Sequence, residues 1–427
     1  MAVAVALAGG AAACGDGPGD TTPVMVGLLA PKTGALQQVG ESFERVAQVA
    51  VAKLNEVGGI NGRDVELLVD DTATDATTAG AKLAGLIDQG VIAVVGPATS
   101  GEVTNAYPIA AARHVPIISP SSTAPALSDP DLAPPDDGYM FRNVPDDNTQ
   151  GAAIAYYLTE LREPRTRSVT VLYEDSPYGV GLKDAFERTY ATLRGSVAAE
   201  VSFTQNIDDA GAATAIGQLA ALPTAPQVVV MIALEQDAIK LVDAWDNGGA
   251  PVIPGMQFFM TDGARSSGFL TGAPASVRGM CGTAPTFPFN GLAYTTLKDA
   301  YEAVNDDVIE DQVFAPNVWD GFFLIAAAAG QQAVDYPGEP LGGAHLRDAL
   351  TPVSRDGQIF KAADWRDLII SIRDGHDVDY DGAAGPNDFD EHGQAVGPYE
   401  VWCIAPDGST FDQVVYLDAR QVQTLTM

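Results

Sequence analysis

Two stretches hold the residues whose types and spacing could do chemistry: VVGPATSGEV (94–103) and VPIISPSSTAPALS (115–128). Each is an apolar β-type run that stops at a Pro and then presents small hydroxyls. Thr99 and Ser100 do so in the first, and Ser121, Ser122 and Thr123 in the second. Hydroxyls and free backbone N–H groups at a helix start suit a small anion such as a carboxylate. In an open parallel sheet, such loops gather at the carboxyl ends of the strands and form the ligand crevice. Ser100 lacks the G-x-S-x-G elbow of serine hydrolases, and no nucleophile or acid/base pair stands beside these loops in the sequence. Binding is therefore expected rather than catalysis. A plain helix N-cap run is the competing reading for Ser121, Ser122 and Thr123.

Other motifs point to less. GVGLKD (179–184) opens a helix after a β-type run, but lacks the third Gly and the downstream acidic residue of a dinucleotide turn. DVDYDG (377–382) places Asp377, Asp379 and Asp381 like the start of a calcium loop. Its twelfth position is Asp388 rather than Glu, so a solvated acidic loop is expected. His114, His345, His376 and His392 show no two-His helical spacing, and neither a metal nor a cofactor is expected. Apart from Cys14, only Cys281 and Cys403 are present; a bridge and two buried thiols both stay open.

The elements that must position the hydroxyl loops alternate between β-type runs and amphipathic helices. VMVGLLA (24–30) leads to a helix over 40–57, with Phe43, Val46, Val49, Ala50, Leu54 and Val57 at helical spacing and a Gly pair ending it. DVELLVDD (64–71), a helix at 75–89, VIAVVGP (91–97), a helix at 101–113 and VPIISP (115–120) follow. After a Pro- and Asp-rich interruption (128–138) and MFRNVP (140–145), the alternation begins afresh. Strands are expected at 168–175, 196–203, 227–234 and 256–262, with helices near 148–162, 178–194, 211–221 and 236–248. RGMCGTAP (278–285), helices near 292–304 and 316–334, an acidic Gly-rich stretch (374–393) and PYEVWCIAP (398–406) complete the chain. This is an α/β pattern of two parallel-sheet modules with a cleft between them.

Composition narrows the partners. The 427 residues carry 23 Lys plus Arg against 56 Asp plus Glu, a formal net charge of −33, which repels nucleic acid and anionic membranes. That balance reads as adaptation to a salty or exposed medium. MAVAVALAGGAAA (1–13) is too short to span a bilayer, for which about 20 residues are needed, but it matches the apolar part of an export signal. Ending in Cys14, it is similar to a bacterial lipoprotein signal with Cys14 as the lipidated residue. It departs from that pattern in having no Lys or Arg before Lys32 and Ala at position 11. GDGPGDTTP (15–23) reads as a tether.

APKTGALQQVG (30–40), NEVGGINGRDVELLVDD (55–71), the two hydroxyl loops, YEDSPYGVG (173–181), MTD (260–262) and DFDEHG (388–393) occur in a telling order. With them the chain resembles the type I periplasmic binding proteins, specifically the branched-chain amino-acid (leucine/isoleucine/valine) receptors of ABC transporters, from Val24 nearly to its end. The resemblance implies two Rossmann-like lobes joined by a multi-strand hinge, a Venus-flytrap. Lobe 1 would hold 24–143 plus 282–397, and lobe 2 would hold 144–281 plus 398–427, after a leader and tether at 1–23. It implies an exported protein at the periplasm or cell surface, anchored only through lipid at Cys14, that delivers a small zwitterion to a membrane permease. A ligand-sensing receptor binding an amide or small organic acid is the alternative. By position, Ser100 and Thr123 would hold the ligand carboxylate, within a loop that includes Ser122. The Ser121 carbonyl and Asp262 would accept from its ammonium, Tyr178 would close over it, and Trp319 falls near an aromatic position of the cleft. Where the family's leucine receptors have aromatic residues, this chain has Val39 and Leu234.

Overall fold

The computed structural model describes residues 21–128, 138–306, 308–309 and 312–424. The leader, Cys14 and most of the Pro- and Asp-rich interruption lie outside the described residues. The first module runs β1 (Val24–Ala30), α1 (Gln37–Glu56), β2 (Val65–Asp71), α2 (Ala76–Asp88), β3 (Val94–Val95), α3 (Ser100–Arg113), β4 (Ile117–Ser119) and β5 (Met140–Arg142). Helix α1 forms because Val39, Phe43, Val46, Ala47, Ala50 and Leu54 put one apolar stripe against the sheet. It stops at Gly58 and Gly59, whose φ values of 108° and 63° no ordinary side chain adopts readily.

The strands pair in parallel in the order β2-β1-β3-β4-β5. The chain steps outward from β1 to β2 and then back across to β3, so the order reverses beside β1. At such a reversal the loops leaving the strands part, and a crevice opens at their carboxyl ends.

The second module repeats the device. It runs α4 (Asp147–Tyr156), β6 (Ser168–Glu174), α5 (Pro177–Thr192), β7 (Ser196–Phe203), α6 (Asp209–Ala220), β8 (Val228–Ile232), α7 (Glu235–Asp246), β9 (Gln257–Met260), α8 (Ser267–Gly272) and β10 (Cys281–Pro285). The chain then adds α9 (Leu292–Glu302), α10 (Ala315–Asp335), α11 (Gly343–Leu350), β11 (Gln358–Phe360), α12 (Trp365–Arg373), β12 (Val378–Gly382) and β13 (Gly385–Pro386) to the first lobe. It returns through β14 (Tyr399–Ile404), β15 (Phe411–Leu417) and α13 (Ala419–Gln423). The second sheet has the order β15-β14-β10-β9-β8-β6-β7, and its reversal lies between β6 and β8. Helix α10 is buried from Ala315 through Gly330, which its almost uncharged sequence permits, and it packs on α1, α11 and α12.

Three connections join the lobes, and they are tied to one another. The Thr286 N–H donates to Pro398 O at 3.1 Å, and the Tyr399 hydroxyl donates to Pro145 O and Asp146 O at 3.1 and 3.0 Å. Cys281 and Cys403 are directly opposed on the antiparallel pair β10 and β14 and form a disulfide, which settles the choice that spacing left open.

The structure also moves some boundaries. β10 extends the second sheet to Pro285, so the crossing expected at 282 comes only after that strand. DVDYDG is not a solvated loop: its residues 378–382 form β12, where alternate residues Val378, Tyr380 and Gly382 are buried. The final β-type run does not end the sheet, because β15 covers its edge. Among the described residues, no helix is long and apolar enough to cross a membrane, and no group of His, Cys, Asp and Glu could hold a metal ion.

Candidate functional site

The two strand-order reversals face each other across a cleft with an empty volume of about 430 Å³. The first lobe contributes Leu36 and Val39 after β1, Ala98, Thr99 and Ser100 after β3, and Ser121 after β4. The second lobe contributes Tyr178 after β6, Leu234 after β8, and Asp262 and Gly263 after β9. Val313 and Phe314, just before α10, complete the wall.

On the first lobe, Thr99 caps α3. Its hydroxyl accepts from Glu102 N–H at 3.2 Å, while the Glu102 carboxylate accepts from Thr99 N–H at 2.9 Å. This capping box leaves the first-turn N–H groups of Ser100 and Gly101 without a partner among the described residues. Ser100 Oγ accepts from Ala124 N–H at 3.1 Å, so its own proton is available to a ligand. Ser121 is arranged the other way: its hydroxyl donates to Ala98 O at 2.9 Å, leaving its lone pairs to accept. One edge of this lobe therefore offers donors to an anion, and the next residue over offers an acceptor.

The second lobe is acidic. Asp262 Oδ1 accepts from Gln150 Nε2 at 2.7 Å and from the Tyr178 hydroxyl at 2.9 Å. Both side-chain bonds fall on one oxygen, which leaves Oδ2 for the cleft. Burial pushes the Asp262 carboxyl above the usual range, and its bonds from Gln150 and Tyr178 oppose that push. The turn is tightly built: a Cβ on Gly263 would lie 2.4 Å from Ala233 O, so only Gly lets the β9 turn rest on the β8 turn. Behind Asp262 stands Asp147, fully buried at the start of α4. Burial, and then the charge of Asp262, push the Asp147 carboxyl well above the usual range. Burial likewise pushes the Tyr178 phenol up and keeps it a donor.

The residues singled out from sequence are brought together unevenly. Ser100, Ser121, Tyr178 and Asp262 line one cleft, as do Val39 and Leu234. Ser122 and Thr123 stand behind the lining; Ser122 N–H donates to Ser119 Oγ at 3.2 Å, and Thr123 O accepts from Asp147 N–H at 2.9 Å. Trp319 does not reach the cleft. It is fully buried in α10 and stacks on Phe323 with ring centroids 4.7 Å apart. The aromatic at the wall is Phe314, and a residue five positions further along a helix is turned roughly 140° away. Sequence reasoning missed Phe314, Gln150 and Asp147. Phe314 had a signal, being an apolar residue just before the Ala-Pro start of a helix, whereas nothing local marks Gln150 or Asp147.

The fold is two-lobed, with a cleft between facing sheet ends. A family model described as "Periplasmic binding protein" matches residues 23–408. The chain belongs to the periplasmic binding protein family, whose setting is extracytoplasmic. It is 29% identical, over 90% of its length and 88% of the relative's, to the chemotactic signal transduction system substrate-binding protein BasB of Halobacterium salinarum. It is 31% identical to the Leu/Ile/Val-binding protein BraC3 of Rhizobium johnstonii, over 39% of this chain and 43% of that one. Among solved structures, the branched-chain amino acid transporter substrate binding protein LivJ of Streptococcus pneumoniae, in complex with isoleucine, shares the fold. It has TM-score 0.72 and 22% identity, and the match covers 93% of this chain and 99% of that one. A solute binding protein of an ABC transporter from R. palustris, in complex with benzoate, has the same TM-score of 0.72 at 17% identity, over 93% and 97% of the two chains.

Proposed function

We propose that this protein captures a small zwitterion with an aliphatic side chain, an amino acid of the branched-chain kind, and presents it in a closed form to a membrane permease. The observation that carries this reading is the pairing of unused donors with an ionisable acceptor across one cleft. The first-turn N–H groups of α3 and the Ser100 hydroxyl face a carboxylate; Ser121 and Asp262 Oδ2 face an ammonium. Charge-assisted bonds of this type are the strong ones. Thr123, from behind, supports the carboxylate loop, and Tyr178 closes the second lobe over the ligand while fixing Asp262. Leu36, Val39, Leu234, Val313 and Phe314 give the remaining wall no group able to bond a polar side chain, which suits an aliphatic one.

Closure is a shift between open and closed populations, driven by contacts that exist only when both lobes touch the ligand. Cys14 would carry a lipid anchor on the outer side of the membrane. The match to a chemotaxis substrate-binding protein over 90% of the chain supports a second reading, in which the same closed form reports to a sensor. A thermal-shift screen of the purified protein against aliphatic amino acids, their des-amino acids and aromatic acids tests the ligand assignment. Stabilisation by aliphatic amino acids alone is expected. Stabilisation by des-amino acids to the same extent would remove the ammonium, and with it this role of Asp262.

A further inference from the structure

The lobes also touch where no ligand would sit. At the rim of the cleft, Asn206, in the loop after β7, reaches across to the first lobe. Its Oδ1 accepts from Ala35 N–H at 2.8 Å, and its Nδ2 donates to Thr74 O at 3.2 Å. Beside it, Gln236 N–H at the start of α7 donates to Ala35 O at 2.9 Å. Both backbone groups of Ala35 are thus bonded by the opposite lobe. Asn206 is itself held in place: its N–H donates to the buried Asp237 Oδ2 at 2.9 Å, and its backbone sits at φ 59°. Asn tolerates that left-handed conformation better than other side chains.

The partner loop is fixed just as firmly. Thr74 Oγ1 accepts from Leu36 N–H at 3.2 Å and donates to Thr33 O at 2.9 Å. Leu36 lines the cleft, so the wall that meets the ligand and the residue gripped from across the gap are adjacent in the chain. A ligand pressed against Leu36 and the clasp on Ala35 therefore favour the same placement of one loop.

We infer that Asn206, with Gln236 N–H, is a closure clasp: a positioning residue that sets ligand affinity and release rate through the closed state without touching the ligand. The inference rests on the ligand-binding reading above, yet it makes one claim independent of any ligand. The clasp bonds exist only with the lobes together, so losing them shifts the open–closed balance whatever the ligand is.

The test uses Asn206→Gly, which keeps the left-handed backbone accessible and removes both side-chain bonds. The melting temperature of the ligand-free variant reports whether it folds, and Asn206→Asp serves as a second variant that retains an acceptor for Ala35 but loses the donor to Thr74. Two part-buried bonds correspond to affinity about three- to tenfold weaker for Asn206→Gly, carried by faster dissociation, with Asn206→Asp between it and the unaltered protein. Small-angle scattering without ligand is expected to give a larger radius of gyration for Asn206→Gly. A folded Asn206→Gly with unchanged dissociation rate and unchanged scattering overturns the clasp. Failure of the unaltered protein to bind any zwitterion overturns the ligand reading instead, and the scattering comparison then decides the clasp by itself.

Discussion

Asp262→Asn separates the charge of the second lobe from its shape. Both existing side-chain bonds enter Oδ1, from Gln150 at 2.7 Å and Tyr178 at 2.9 Å, so a carboxamide oxygen placed there keeps them. Its NH₂ then occupies the Oδ2 position and turns a donor toward the ligand ammonium. The loss is one charge-assisted bond, about 1.5–3 kcal/mol, or about a 10- to 150-fold higher Kd for an aliphatic amino acid. Fold stability is not expected to fall with it, because the substitution removes a buried charge that also repels Asp147. Titration calorimetry with the amino acid and its des-amino acid measures the effect. The amino acid weakens and the des-amino acid, lacking an ammonium, does not. The pH profile gives a second reading. Burial raises the Asp262 carboxyl, so affinity of the unaltered protein falls as pH drops through that raised value, starting at higher pH than for an exposed Asp. Asp262→Asn removes that fall. Equal weakening of both ligands, or unchanged affinity for the amino acid, refutes the reasoning.

Three further outcomes are expected. Ser100→Ala removes a donor to the ligand carboxylate and the acceptor of Ala124 N–H, and calorimetry should record a loss of about 1–2 kcal/mol for amino acid and des-amino acid alike. Asp147→Asn should raise the melting temperature at pH 8. A carboxyl raised in the folded state holds its proton after the unfolded chain has lost it, so it costs stability as pH rises, and the advantage of the variant should shrink toward acid pH. Replacing Cys281 and Cys403 together by Ser should lower stability by about 2–4 kcal/mol in denaturant titrations, since the bridge closes a loop of sequence separation 122.

The sequence determined the alternation of strands and helices, because buried parallel strands must be continuous apolar runs and the helices over them must carry one apolar stripe. It also placed Ser100 and Ser121 at strand ends, since Pro and small hydroxyl residues punctuate the chain wherever the alternation turns. What it left undecided lay in contacts between distant segments. The acidic run at 378–382 became strand β12 because its alternate residues Val378, Tyr380 and Gly382 could be buried beside α10, where Gly382 approaches the fully buried Asp320. Trp319 and Phe314 are both large and apolar, and only the direction in which α10 enters the first lobe put one in the core and the other at the cleft. The disulfide required the antiparallel register of β10 and β14, which no spacing encodes. The opposition of Ser100 to Asp262, like the reach of Asn206 to Ala35, exists only because two strand-order reversals face each other. Local pattern fixes what each segment is, whereas packing of the two sheets fixes which side chains meet.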